Sequence, residues 1–212
     1  MGTLNRALVV LSLGLLAAMC AGIVRRGKIS QSFVFSAYAA AATLFTALIL
    51  LFPDSFYTPE AFIVKQGIYD SLLFALSLEL SFRAFTAFSG IANRVRGFLA
   101  LAVAGSSLTV FLLTPPNTDY SDMARYQPGI TTAGIWCLAF VALLIVWYQI
   151  PVPAFTRSII LGYVPYLVIF VVYIDLIGRL GWGVIENLNL LNATAYDTSV
   201  GYLAYAAWRE DA

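Results

Sequence analysis

Apolar residues in this chain come in long blocks, at about 7–24, 33–52, 61–88, 97–114, 130–149, 158–177 and 187–208, with short polar separators between them. At a rise of 1.5 Å per residue, about 20 residues cross the roughly 30 Å hydrocarbon core of a bilayer. The pattern therefore predicts an all-α membrane protein, a bundle of seven transmembrane helices in a single helical domain over 1–212. The separators "FPDSFYTPE", "SGIANRVRG", "TPPNTDYSDMARYQPG", "IPVPAF" and "GRLGWG" hold the proline, glycine and asparagine that interrupt helices. The seventh block differs from the others, because Asn187, Asn189, Asn192, Thr194, Asp197, Thr198 and Ser199 make it polar for a span.

Charge orients these spans. Arg25, Arg26 and Lys28 follow the first block, Arg94 and Arg96 the third, Arg157 the fifth and Arg209 the last. The alternate connections carry Asp54, Glu60, Asp119, Asp122 and Glu186. Bases collect on the cytoplasmic side, which puts the N-terminus outside and the C-terminus in the cytoplasm of a bacterial inner membrane. Trp147, Tyr148, Trp182 and Trp208 fall at predicted span ends, where amphipathic rings are favoured. The basic cluster after the first block reads as the flank of a retained anchor, not of a cleaved leader. Met19, in front of Cys20, stands where a lipoprotein site needs a small residue.

Composition narrows the chemistry. Charged residues make up 11% of the chain, against about 25% in soluble domains, so function must sit within the membrane or on short loops. There is no histidine. That removes bis-histidine haem, histidine-held zinc or copper, and Ser-His or Cys-His nucleophile pairs. Cys20 and Cys137 lie inside apolar blocks and read as small packed residues, not as a disulfide or metal site. The only lysines, Lys28 and Lys65, lie outside the last span, which gives no support to a retinal linkage. A net charge of +1 gives no argument for nucleic acid. The expected partners are the bilayer and other membrane proteins, with no catalytic residue, no metal and no assigned cofactor.

The ionisable residues inside the blocks carry the remaining signal, since a charge at the bilayer centre costs at least about 2.5–3.5 kcal/mol. Glu79 and Arg83 are four residues apart in acid-then-base order, the spacing of a self-satisfied pair on one helix face. Arg83 can reach the headgroups while touching Glu79. Asp175 and Arg179 repeat the device at a span boundary. Lys65, Tyr69, Leu72, Leu76, Glu79 and Arg83 recur at helical spacing and predict a stripe facing protein or a cavity, with Asp70 off it. Asp197 has no base at helical spacing and needs a neighbour such as Arg83, Lys65, Tyr196, Asn192 or Ser199. The candidate intramembrane polar site is therefore Glu79, Arg83, Asn192 and Asp197, between the third and seventh spans. Tyr163, Tyr166, Phe170 and Tyr173 form an aromatic stripe around Pro165, which reads as packing or as a quinone or pigment groove. Pro165 predicts a kink.

The seven-span layout, "LELSFRAF" at the end of the third helix with a basic turn after it, and the last helix "NLLNATAYDTSVGYLAYAAW" resemble a family of small membrane proteins common in acidobacterial genomes. Similar segments form the membrane part of some sensor kinases. The likeness covers most of the chain through span layout and the Glu79/Arg83 pair. The chain departs from it in lacking a histidine near that pair and an attached signalling domain. The resemblance implies topology and transfers no activity. The function expected from all this is a non-catalytic subunit or scaffold of a larger inner-membrane complex of respiratory or photosynthetic type. A sensory or ligand-binding module acting through a separate signalling partner is the alternative. A small-solute transporter ranks below both, since no internal repeat is visible.

Overall fold

The computed structural model describes residues 3–56, 58–86, 120–180 and 185–210. Among them all regular structure is helical: α1 (Thr3–Arg25), a 3-10 turn (Lys28–Gln31), α2 (Phe33–Leu51), α3 (Pro53–Phe56), α4 (Pro59–Thr86), α5 (Tyr120–Trp147), α6 (Ala154–Leu180) and α7 (Ile185–Trp208). Four stretches are long and apolar enough to cross a membrane: Arg6–Arg25, Phe33–Leu51, Pro128–Trp147 and Ala154–Leu176. The chain is thus a helical protein with membrane-spanning character. Helices α4 and α7 match the other four in length but are diluted by Lys65, Asp70, Glu79 and Arg83 in one and by the Asn/Thr run in the other. The predicted span 97–114 lies outside the described residues.

Two helices run well past the apolar pattern. Helix α5 begins at Tyr120, well before the predicted start at 130, and runs through Pro128. A proline removes one i→i−4 bond, which a continuing helix tolerates, and the polar turns before it carry no apolar signal. Helix α6 likewise passes through Pro165 and extends past both ends of the predicted 158–177. At that turn Ser199 of α7 donates to the Gly162 carbonyl at 3.0 Å, so a neighbouring helix adds a bond where proline loosens the ladder.

The chain divides into two compact units, one of Met1–Tyr57 with Pro153–Ala212 and one of Thr58–Val152. In the first, α1 packs against α2 and α7, and α7 packs against α6. Aromatic contacts between α2 and α6 close the group, with Phe35 5.5 Å and Tyr38 5.2 Å from the Tyr163 ring. Small residues permit the close approach: a methyl on Gly22 would meet the Trp208 ring at 2.9 Å, and one on Gly162 would meet Tyr202 at 2.5 Å. Gly27, at φ 65, ends α1 and turns the chain directly into the 3-10 segment.

In the second unit α4 packs on α5. The buried face of α4 is Asp70, Leu73, Leu76, Ser77, Leu80, Ser81 and Ala84, set against Thr131, Ile135, Leu138, Val141, Ala142 and Ile145 of α5. Leu76 belongs to the predicted stripe, but Lys65, Tyr69, Leu72, Glu79 and Arg83 flank this face half-buried. Asp70, expected off the stripe, lies on the buried face. The predicted stripe follows the charges, whereas the packed face is set by Leu and Ser at 73, 76, 77, 80 and 81.

Candidate polar sites in the helix interfaces

Three segments of the first unit meet at the Lys28–Gln31 turn. Lys28 is 2% exposed, and its Nζ donates to the Ala206 carbonyl at 3.0 Å and to the Arg209 carbonyl at 2.6 Å. It also lies 5.7 Å from the centre of the Phe155 ring. These carbonyls end α7, where the helix dipole is negative and the last C=O groups lack helical partners, so an ammonium is favoured there. Gln31 serves the start of α6: its Oε1 accepts from the Phe155 N–H at 3.2 Å and its carbonyl accepts from Thr156 Oγ1 at 2.8 Å. On the other side of α7, the Trp208 indole donates to the Ala18 carbonyl at 2.9 Å, and Arg25 stacks 5.5 Å from its ring centre. Arg26 pairs with Glu210 at 2.9 Å on the surface.

Asp197 sits further along the α1–α7 interface, 7% exposed. Its Oδ1 accepts from the hydroxyl of Ser12 on α1. Its Oδ2 is buried with no hydrogen-bond partner among the described residues, and so is Oδ1 of Asn192. The neighbour that spacing could not supply is thus a serine on the first helix, 185 residues away in sequence. Of the groups expected around Asp197, Ser199 turns to α6, and Tyr196 packs on Tyr166 with ring centres 5.3 Å apart. The Tyr166 phenol neighbours Asn192.

The aromatic stripe of α6 is continuous. Tyr163, Tyr166, Phe170 and Tyr173 follow one another at 6.1, 6.2 and 5.7 Å between ring centres. The inner end is buried against α2, and at the outer end the Tyr173 hydroxyl donates to Asn189 of α7. Its rings pack against α2 at Tyr163 and against α7 at Tyr166, and the Tyr173 phenol is tied to Asn189.

In the second unit Glu79 and Arg83 make the contact their spacing allows, Nη2 and Nε lying 2.8 and 3.2 Å from Oε1. One turn after another, Ser77 and Ser81 donate to the carbonyls four residues earlier, which lets hydroxyls face the apolar interface satisfied. Asp70 forms the joint between the helices: Thr131 Oγ1 lies 2.9 and 3.1 Å from its two oxygens, and Gln66 Nε2 donates to Oδ1 at 3.2 Å. The Gln66–Asp70 spacing of four residues was a readable signal for this joint, though Thr131 was not. Lys65 lies 4.8 Å from the Phe62 ring centre and 6.0 Å from that of Tyr69.

Of the predicted site, Glu79 and Arg83 therefore belong to one unit, and Asn192 and Asp197 to the other. For the boundary pair, Asp175 is exposed on α6, and the side chain of Arg179 lies outside the described residues. Both cysteines are free and half-buried, with the Cys20 thiol 3.3 Å from Thr43 of α2. Among the described residues no group of three or more acids and cysteines gathers in a metal-binding arrangement. No family model, curated protein or solved structure matches this chain.

Proposed function

We propose that the chain is a seven-span protein of a bacterial inner membrane, with its N-terminus outside and its C-terminus in the cytoplasm, and that it acts as a non-catalytic subunit or scaffold of a larger membrane complex. One observation carries the topology: the Lys28–Gln31 turn, the start of α6 and the end of α7 meet at one end of the first unit. These are the stretches where Arg25, Arg26, Arg157 and Arg209 collect, so the charge rule and the packing agree on one shared side. A chain that leaves this end through α2 and returns to it at α6 makes an even number of crossings. Helices α2, α4 and α5 account for three, and the predicted span 97–114 supplies the fourth.

The subunit reading rests on where the ionisable groups go. Lys28, Asp70, Glu79 and Arg83 are tied into joints within or between helices. Such groups position helices and present a fixed outer surface to lipid or to other membrane proteins. The alternative, a sensory or ligand-binding module with a separate signalling partner, draws on the unmatched oxygens of Asn192 and Asp197 beside the aromatic stripe.

Extraction of source membranes in mild detergent followed by native mass spectrometry tests the subunit reading. The expected result is the chain in a stoichiometric assembly with other membrane proteins. A stable lone monomer from native membranes contradicts it.

A further inference from the structure

We infer that Asp197 is a proton-binding site: the folded bundle holds its carboxyl uncharged, with the exchangeable proton on Oδ2. Three observations converge on this atom. The side chain is 7% exposed, its Oδ1 is closed by the Ser12 hydroxyl, and its Oδ2 has no hydrogen-bond partner among the described residues. A carboxylate with one oxygen buried and unmatched keeps its charge only beside a cation or water; otherwise it sheds the charge by taking a proton.

Among the described residues, the groups on the elements packed there supply no such cation. On α1 the described charged side chains are Arg6 and Arg25, and Arg25 is engaged at Trp208. Arg6 is six residues from Ser12, about 9 Å along the axis at 1.5 Å per residue, and exposed. On α6 they are Arg157 and Asp175, both exposed, and the phenols of Tyr166 and Tyr173 meet Tyr196 and Asn189 of α7. On α7 Asp197 is the one charged residue among the described side chains, with Arg209 and Glu210 beyond its end. Lys28 is held at the last carbonyls of α7. Asp70 differs in having donors for both oxygens, Gln66 for Oδ1 and Thr131 for Oδ2.

The proton is the ligand of the one oxygen that the joint with Ser12 leaves open, whatever partners the chain has.

Infrared difference spectroscopy of the purified protein at neutral pH, comparing the natural chain with Asp197→Asn, tests it. The expected result is a carbonyl band of a protonated carboxylic acid that disappears in Asp197→Asn. Ser12→Ala, which leaves the acid in place, is expected to move that band to higher frequency as its hydrogen bond is lost. This variant keeps the test decisive if Asp197→Asn fails to fold. A carboxylate band in place of the acid band overturns the proposal. So does an acid band that Ser12→Ala leaves unmoved, or one replaced by a carboxylate band when potassium is exchanged for sodium, since the site would then hold a metal cation.

Discussion

The α4–α5 joint and the α1–α7 joint each bury an aspartate to 7% exposure, yet they treat it differently. Asp70 has donors on both oxygens, from Thr131 across the interface and Gln66 one turn earlier. Asp197 has a donor on one oxygen and, among the described residues, no partner on the other. The first arrangement is a finished structural joint, in which removing the acid strands its donors. In the second, one oxygen of the acid adds little to packing and costs desolvation. The satisfied acid is the structural one, although the sequence makes both look like isolated charges in apolar surroundings.

Four substitutions sharpen the contrast, each read as the unfolding free energy in detergent micelles. Lys28→Met has the largest expected effect, a loss of about 3 kcal/mol, because it removes charged hydrogen bonds to two carbonyls at a helix end. An effect below about 1 kcal/mol would mean that water replaces the ammonium there. Asp70→Ala is expected to cost about 2 kcal/mol by stranding the Thr131 and Gln66 donors. Ser12→Ala, which removes a single donor from Asp197, should cost about 1 kcal/mol. Asp197→Asn should fall within about 0.5 kcal/mol of the natural chain, because the amide oxygen can still accept from Ser12 and no buried charge is lost. If Asp197→Asn proves as costly as Asp70→Ala, the difference between the joints disappears.

Much of the helical layout was legible because apolar runs bounded by proline and glycine are a local signal. The ends of α5 and α6 were less so: a proline inside a helix and a polar first turn both imitate a connection. The Glu79–Arg83 contact follows from spacing on one helix, as does half of the Asp70 joint. The Ser12–Asp197 and Lys28–α7 contacts join residues separated by 178 or more positions, and nothing local to either partner names the other. By its place in the sequence Lys28 reads as a topological charge; its burial against α7 follows the turn that Gly27 makes at φ 65 after α1. Asp197 was legible only as an acid without a base.

The joint at Lys28–Gln31 also makes the topology measurable. Single cysteines placed at the exposed positions Ser30, Arg157 and Glu210, in a background with Cys20 and Cys137 replaced by serine, can be labelled with a membrane-impermeant maleimide in oriented vesicles. All three are expected to be labelled from the cytoplasmic face and none from the outside. Labelling of any one of them from the opposite face to the other two would contradict this topology.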